Sequence, residues 1–192
     1  MNNDEFHSNV ERRHSRITLS GVDGLDHINI HNKDATTELG KLLRTHAETP
    51  FVHPVAGPFR TFEGFWHQLR CSKIDDRFRT IAPKKACALA TNLGTRVVEN
   101  FRELIMDATY EKIVQNKRLR ELFVESSLPF KNYWMFTPRL QTPPEQELRA
   151  YPISATGLNF MVAGLEDLRK VMKSGFVPHK PDYRKLMPEY FL

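Results

Sequence analysis

The alternation of apolar and polar positions changes rhythm several times along this chain, and each change marks an element. Residues 16–20 and 26–31 alternate with a period of two. Gly21-Val22-Asp23-Gly24 lies between them, which predicts a β-hairpin over 16–31 turning near Asp23-Gly24. Asp34 is placed to cap a short helix through Leu39, Leu42 and Leu43. Pro50, Pro54, Gly57 and Pro58 then interrupt regular structure and predict an ordered loop. From Thr61 the period becomes helical, with Phe62, Phe65, Trp66 and Leu69 at i, i+3, i+4 and i+7. Pro83 suits the first turn of a helix over 84–92 that Gly94 stops. A longer helix over 98–116 carries Phe101, Leu104, Ile105 and Ala108 on one side, and a short one over 118–124 packs Leu119, Leu122 and Phe123.

The remainder is more mixed. Residues 128–136 are aromatic and extended, a strand or edge segment, and the Pro-rich stretch 137–152 predicts a surface loop. Leu158, Phe160, Met161, Val162, Leu165, Leu168 and Val171 form a last amphipathic helix. Residues 1–15 are polar enough for a flexible N-terminus, and the tail 176–192 holds Pro178, Pro181 and Pro188 and is expected to wrap the surface. The expected architecture is α+β: a single helix-rich domain with a small sheet over 16–175.

Composition narrows the function classes. With 40% hydrophobic and 27% charged residues, the 192-residue chain reads as globular and long enough for a real core. No run approaches the ~20 apolar residues that cross a bilayer, and the start of the chain has no apolar signal segment. The expectation is a cytoplasmic protein (host cytoplasm if virus-encoded) with no membrane partner. Cys71 and Cys87 lack CxxC or metal-type spacing and read as reduced thiols, so neither a disulfide nor a metal site is expected. A net charge of +5 permits an anionic partner, yet the basic residues are spread out and solvated faces account for most of them. There is no P-loop and no GxGxxG, which disfavours nucleotide kinases and dinucleotide oxidoreductases; no cofactor is implied.

One residue concentrates the candidate chemistry. Glu63 opens the aromatic helix just after the Pro/Gly-rich stretch, amid Phe59, Phe62, Phe65 and Trp66. Burial among rings would disfavour its charged form and raise its pKa, making it a proton-transfer group near neutral pH. The other reading is a first-turn Glu that serves the backbone donors and the helix dipole. Around it, Arg44 and Arg70 are candidates for a pyrophosphate, His46 and His67 for acids, and Tyr133 and Trp134 for stacking on a base. Each also has a plain structural reading, as surface or core.

The ordered segments resemble the NADAR (YbiA-like) superfamily. Leu39-Gly40-Lys41-Leu42-Leu43 followed by Ala47-Glu48-Thr49-Pro50-Phe51 is similar to its opening helix and loop, and Phe62-Glu63-Gly64-Phe65-Trp66 to its central motif. The stretches 86–94, 101–125, 128–134 and 157–170 match later pieces in the family's order. The resemblance implies hydrolysis of ribosyl–nitrogen bonds, such as ADP-ribose on guanine, with Glu63 as the essential acid. By the same resemblance, Arg44, His46, Phe65, Trp66, His67, Arg70, Tyr133 and Trp134 would bind substrate. The partner implied is an ADP-ribose-containing substrate, including ADP-ribosylated nucleic acid. Departures stand at Arg44-Thr45-His46, where relatives carry Ser-Asn-Phe, at Val98 for a Trp, and near Lys131 or Asn132 for an acid. These keep open an alternative: a degenerate domain that binds ADP-ribose or NAD, or inhibits an ADP-ribosylating protein partner.

Overall fold

The structure, a computed structural model, describes residues 17–18, 23–135, 149–152 and 159–191. In chain order its elements are β1 (Ile17–Thr18), β2 (Ile28–Asn29), α1 (Glu38–Leu43), β3 (Phe51–His53), β4 (Gly57–Phe59), α2 (Phe62–Arg70), α3 (Arg77–Thr80) and α4 (Pro83–Leu93). There follow α5 (Phe101–Gln115), α6 (Lys117–Glu125), β5 (Phe130–Lys131), β6 (Tyr133–Met135), β7 (Arg149–Pro152), α7 (Asn159–Lys173) and α8 (Tyr183–Leu186). The architecture is α+β and helix-rich, with short strands paired in small sheets.

Helix α5 runs through the centre because its Leu104, Ile105, Ala108 and Ile113 are all fully buried. Against it lies an aromatic cluster of Phe51, Phe59, Phe62 and Phe65, ring centroids 5.4 to 6.2 Å apart. Each such ring, taken out of water, contributes about 1.5–3 kcal/mol. Two glycines let the elements close up: a Cβ on Gly40 would stand 2.2 Å from the Asn29 carbonyl oxygen, and one on Gly64 would stand 2.2 Å from that of Phe78. Helix α1 can therefore sit on the chain at β2, and α2 on α3.

Strand pairing departs from the sequence expectation. β1 and β2 are not partners of each other: β1 pairs antiparallel with β7, and β2 pairs parallel with β5, Ile28 opposite Phe130. Alternation over so few residues fixes a face, not a partner. The Asp23 carboxylate accepts from the backbone N–H of Asn29 at 2.8 Å and from the N–H and hydroxyl of Thr36, both at 2.7 Å. It thereby ties the turn to the approach of α1. Helix α1 begins after Thr37, whose hydroxyl accepts the Gly40 N–H at 3.0 Å; Asp34 binds His31 instead of capping.

The Pro-rich stretch after α1 forms a β-hairpin of β3 and β4 where a loop was expected, Phe51 opposite Phe59 and Val52 opposite Pro58. Gly57 holds its turn at φ +80°. The Gln115 side chain closes the free edge of β3, accepting the Val52 N–H at 2.7 Å and donating to its carbonyl at 2.9 Å. The aromatic segment 128–136 divides at Asn132: β5 pairs with β2, and β6 with β7. Residues 149–152, expected in a loop, are that strand β7; residues 1–16, 19–22, 136–148, 153–158 and 192 lie outside the described residues. The C-terminal tail runs largely over the surface, as expected, but is anchored by Met187, which is fully buried in the core. Tyr183 is bonded to Asp107 and Lys180 to Glu111, both at 2.8 Å.

Candidate active site

Glu63 owes its place to the start of α2. The Thr61 hydroxyl accepts the Gly64 N–H at 3.3 Å and caps the helix. Phe62, Phe65 and Leu69 turn inward; Trp66 sits at the border of that face, packed on the core, and Glu63 and His67 lie on the flank beyond it. The Glu63 N–H also donates to the Thr45 carbonyl at 2.9 Å, joining α2 to the loop that follows α1.

Beside Glu63 opens a cleft of about 220 Å³. His31, Asn32, Thr45, Glu63 and Asn132 supply its polar wall, and Ile30, Leu43, Trp66 and Met161 its apolar one. Ligand clefts usually measure ~300–1,000 Å³, so this one suits a sugar ring or another small moiety. Trp66 is held edge-on to Phe101 at 4.8 Å and stacked on Phe160 at 6.2 Å, which fixes the ring at the border of the cleft.

The carboxylate of Glu63 is surrounded by donors. Thr45 donates its hydroxyl to Oε2, His67, one turn along α2, donates from Nε2 to Oε1 at 3.1 Å, and His46 Nε2 stands 3.6 Å from Oε2. Thr45 has a single hydroxyl proton; once it goes to Glu63, the oxygen can accept from Asn32 Nδ2 at 3.0 Å. Asn32 further accepts the His46 N–H through Oδ1, at 3.2 Å, so it knits the loop together. Burial does push the Glu63 pKa up, but the hydrogen bonds from His67 and Thr45 and the charge of His46 push harder the other way. The carboxyl is held below its usual 4.5. The sequence expectation of a raised pKa is therefore reversed. Three of the four rings named with it, Phe59, Phe62 and Phe65, belong to the core, and only Trp66 faces the cleft.

The other expected residues divide. Trp66 lines the cleft, and His46 and His67 reach Glu63 itself. Arg44 does not turn toward the cleft: its guanidinium donates to the carbonyls of Asn32 at 2.9 Å and Lys41 at 3.2 Å. Phe65 is fully buried, its ring stacked on His53 at 4.9 Å, and cannot meet a ligand. Arg70 lies exposed at the far end of α2, two turns from Glu63, where its carbonyl receives the Arg96 N–H at 2.8 Å. Tyr133 is buried with its hydroxyl 2.7 Å from His27 Nε2, and burial, aided by Asp23 and Asp34, pushes its pKa up to about 12. Trp134 takes its place in β6 opposite Tyr151.

The sequence reading missed His31, Asn32 and Met161 altogether, and named Thr45 and Asn132 only as departures from the family pattern. His31 and Asn32 directly follow β2, and only its pairing with β5 brings them to the cleft; Met161 arrives with α7. Among the described residues no group of three or more His, Cys, Asp or Glu side chains could hold a metal ion. No helix among them is long and apolar enough to cross a membrane.

The chain resembles a solved structure of the same overall shape. The NMR structure of the E. coli protein YbiA matches it with a TM-score of 0.55 at 14% identity, over 83% of this chain and 96% of that one. No family model and no curated protein matches this sequence. At that identity the likeness establishes the fold: this chain has a YbiA-like fold.

Proposed function

From the YbiA-like fold and the cleft beside Glu63, we propose that the protein is an N-glycosidase that hydrolyses a ribosyl–nitrogen bond, with ADP-ribose on a guanine base as the leading substrate. The observation that carries this reading is a largely buried carboxylate, kept ionised by a hydroxyl and an imidazole, at the wall of a cleft sized for a sugar. Breaking the bond between the anomeric carbon and nitrogen sends the electron pair to nitrogen and leaves positive charge on the sugar. A fixed negative charge beside that carbon stabilises the cation as it forms. Water then adds its oxygen to the anomeric carbon and gives up a proton, and the departing nitrogen gains one.

A depressed pKa makes Glu63 the anion of this scheme, the stabiliser of the cation and acceptor of the water's proton. It is not the group that protonates the base. In this scheme the proton for the nitrogen comes from His46, whose imidazole lies 3.6 Å from the carboxylate and is one-third exposed. Only the ribose end fits the cleft, so the pyrophosphate and adenosine would lie outside it.

The test incubates the protein with guanine-ADP-ribosylated DNA or RNA and follows released ADP-ribose. Glu63→Gln, which keeps the shape and removes the charge, is expected to lower kcat by ~10²–10⁴-fold. Unchanged release in the variant would remove Glu63 from the reaction. Binding of ADP-ribose without turnover, insensitive to Glu63→Gln, would favour the non-catalytic binder.

A further inference from the structure

Helix α5 carries a buried charge that the scheme above does not use. Lys112 is 1% exposed, yet among the described residues its ammonium meets no carboxylate. Nζ donates to the carbonyls of Leu43 at 3.2 Å and Arg44 at 2.9 Å, and it lies 5.8 Å from the centre of the Phe62 ring. Those carbonyls are at the C-terminal end of α1, where a helix leaves acceptors unpaired and concentrates partial negative charge. A buried ammonium without a counter-ion is costly, and an apolar side chain would pack there without that cost. What the lysine offers in return is geometry.

The next residue in the chain is Thr45. Its hydroxyl and its carbonyl both bind Glu63, one at the carboxylate and one at the backbone N–H. Leu43 and Thr45 also form part of the cleft wall. The path from ammonium to carboxylate is therefore short: a hydrogen bond to the Arg44 carbonyl, the peptide link to Thr45, and the hydrogen bond from the Thr45 hydroxyl to Glu63. We propose that Lys112 is a positioning residue for the candidate active site: its ammonium clamps the end of α1 so that Thr45 keeps its grip on Glu63.

Burial, and after it the charge of Arg44 just past the end of α1, push the Lys112 pKa down to about 7. On its own helix, Glu111 is engaged by Lys180 and Gln115. From α2, Glu63 has Thr45, His46 and His67 as its partners.

This inference deepens the proposed function, since it concerns the same carboxylate, but its test needs no substrate. The Glu63 carboxyl carbon is followed by NMR through an acid titration in the wild type, in Lys112→Met and in Thr45→Val as a reference. Lys112→Met is expected to shift the Glu63 midpoint upward by at least half the shift of Thr45→Val, because both loosen the same hydroxyl. A role in stability alone would lower the melting temperature and leave that midpoint in place. A wild-type midpoint in folded Lys112→Met overturns the proposal. Should that variant not fold, Lys112→Gln replaces it: uncharged and one bond shorter, it cannot hold both carbonyls, and an unmoved Glu63 there overturns the proposal as well. Failure of the glycosidase reading would appear separately, as no release of ADP-ribose by the wild type.

Discussion

At the scale of single residues, the behaviour of Glu63 is decided by which neighbours reach it. Burial alone would have made it a weak acid, and a carboxyl in an apolar pocket does rise. The hydrogen bonds from His67 and Thr45, together with the charge of His46, outweigh that effect here, and the group stays ionised. The sign of the consequence follows. A carboxyl whose folded pKa lies below its unfolded 4.5 favours the folded state above that pH, and the contribution fades as pH falls through the folded value. Urea melts of wild type and Glu63→Gln between pH 2 and 7 should show the wild-type advantage at its largest near neutrality and shrinking below about 4.5. An advantage that grows with acidity would mean that the hydrogen bonds from Thr45 and His67 do not hold the anion in solution.

At the scale of elements, the longer helices and the places of β1, β2, β5 and β6 were legible, whereas the four-residue helices α3 and α8, the β3–β4 hairpin and the strand partners were not. The run Phe62, Phe65, Trp66, Leu69 gave α2 its position, Thr61 its start and Gly94 the end of α4, because these signals act within one or two turns of chain. Two-residue strands such as β1 and β2 carry no comparable signal of their partners, which lie far along the chain. The Pro-rich stretch that reads as a loop becomes β3 and β4 because the Gln115 side chain closes the edge from α5. Gly64 is another element-scale feature that the sequence only hinted at. Its missing side chain is what lets α2 press on the Phe78 carbonyl. Gly64→Ala should cost at least ~1–3 kcal/mol, as overpacking does, although alanine favours helix on its own. Denaturant unfolding measures it, and a stabilised variant would show that α2 and α3 are not in contact at that point.

At the scale of the whole molecule, residues that read as separate candidates are brought together or kept apart by the packing of distant elements. The cleft draws on the chain after β2, the loop after α1, the first turns of α2, Asn132 between β5 and β6, and α7. Arg70 and Tyr133, plausible from their types, are carried away from it. The C-terminal tail, expected at the surface, sends Met187 into the core. Met187→Ala should therefore lower stability by ~2–5 kcal/mol, as removal of a buried methionine does. Thermal or urea unfolding reads this out, and a change within half a kilocalorie would mean that the tail does not dock.

The sequence by itself determined that this chain folds with helices prevailing, where α2 begins, and that Glu63 stands in its first turn with His67 one turn later. Those facts depend on periodicity and capping, which act between neighbours in the chain. Tertiary structure alone decided that the carboxylate is an anion, that Thr45, Asn32 and Asn132 share its cleft, and that Phe65 does not. Ionisation and cleft walls are set by groups whose separation in space is unrelated to their separation along the backbone.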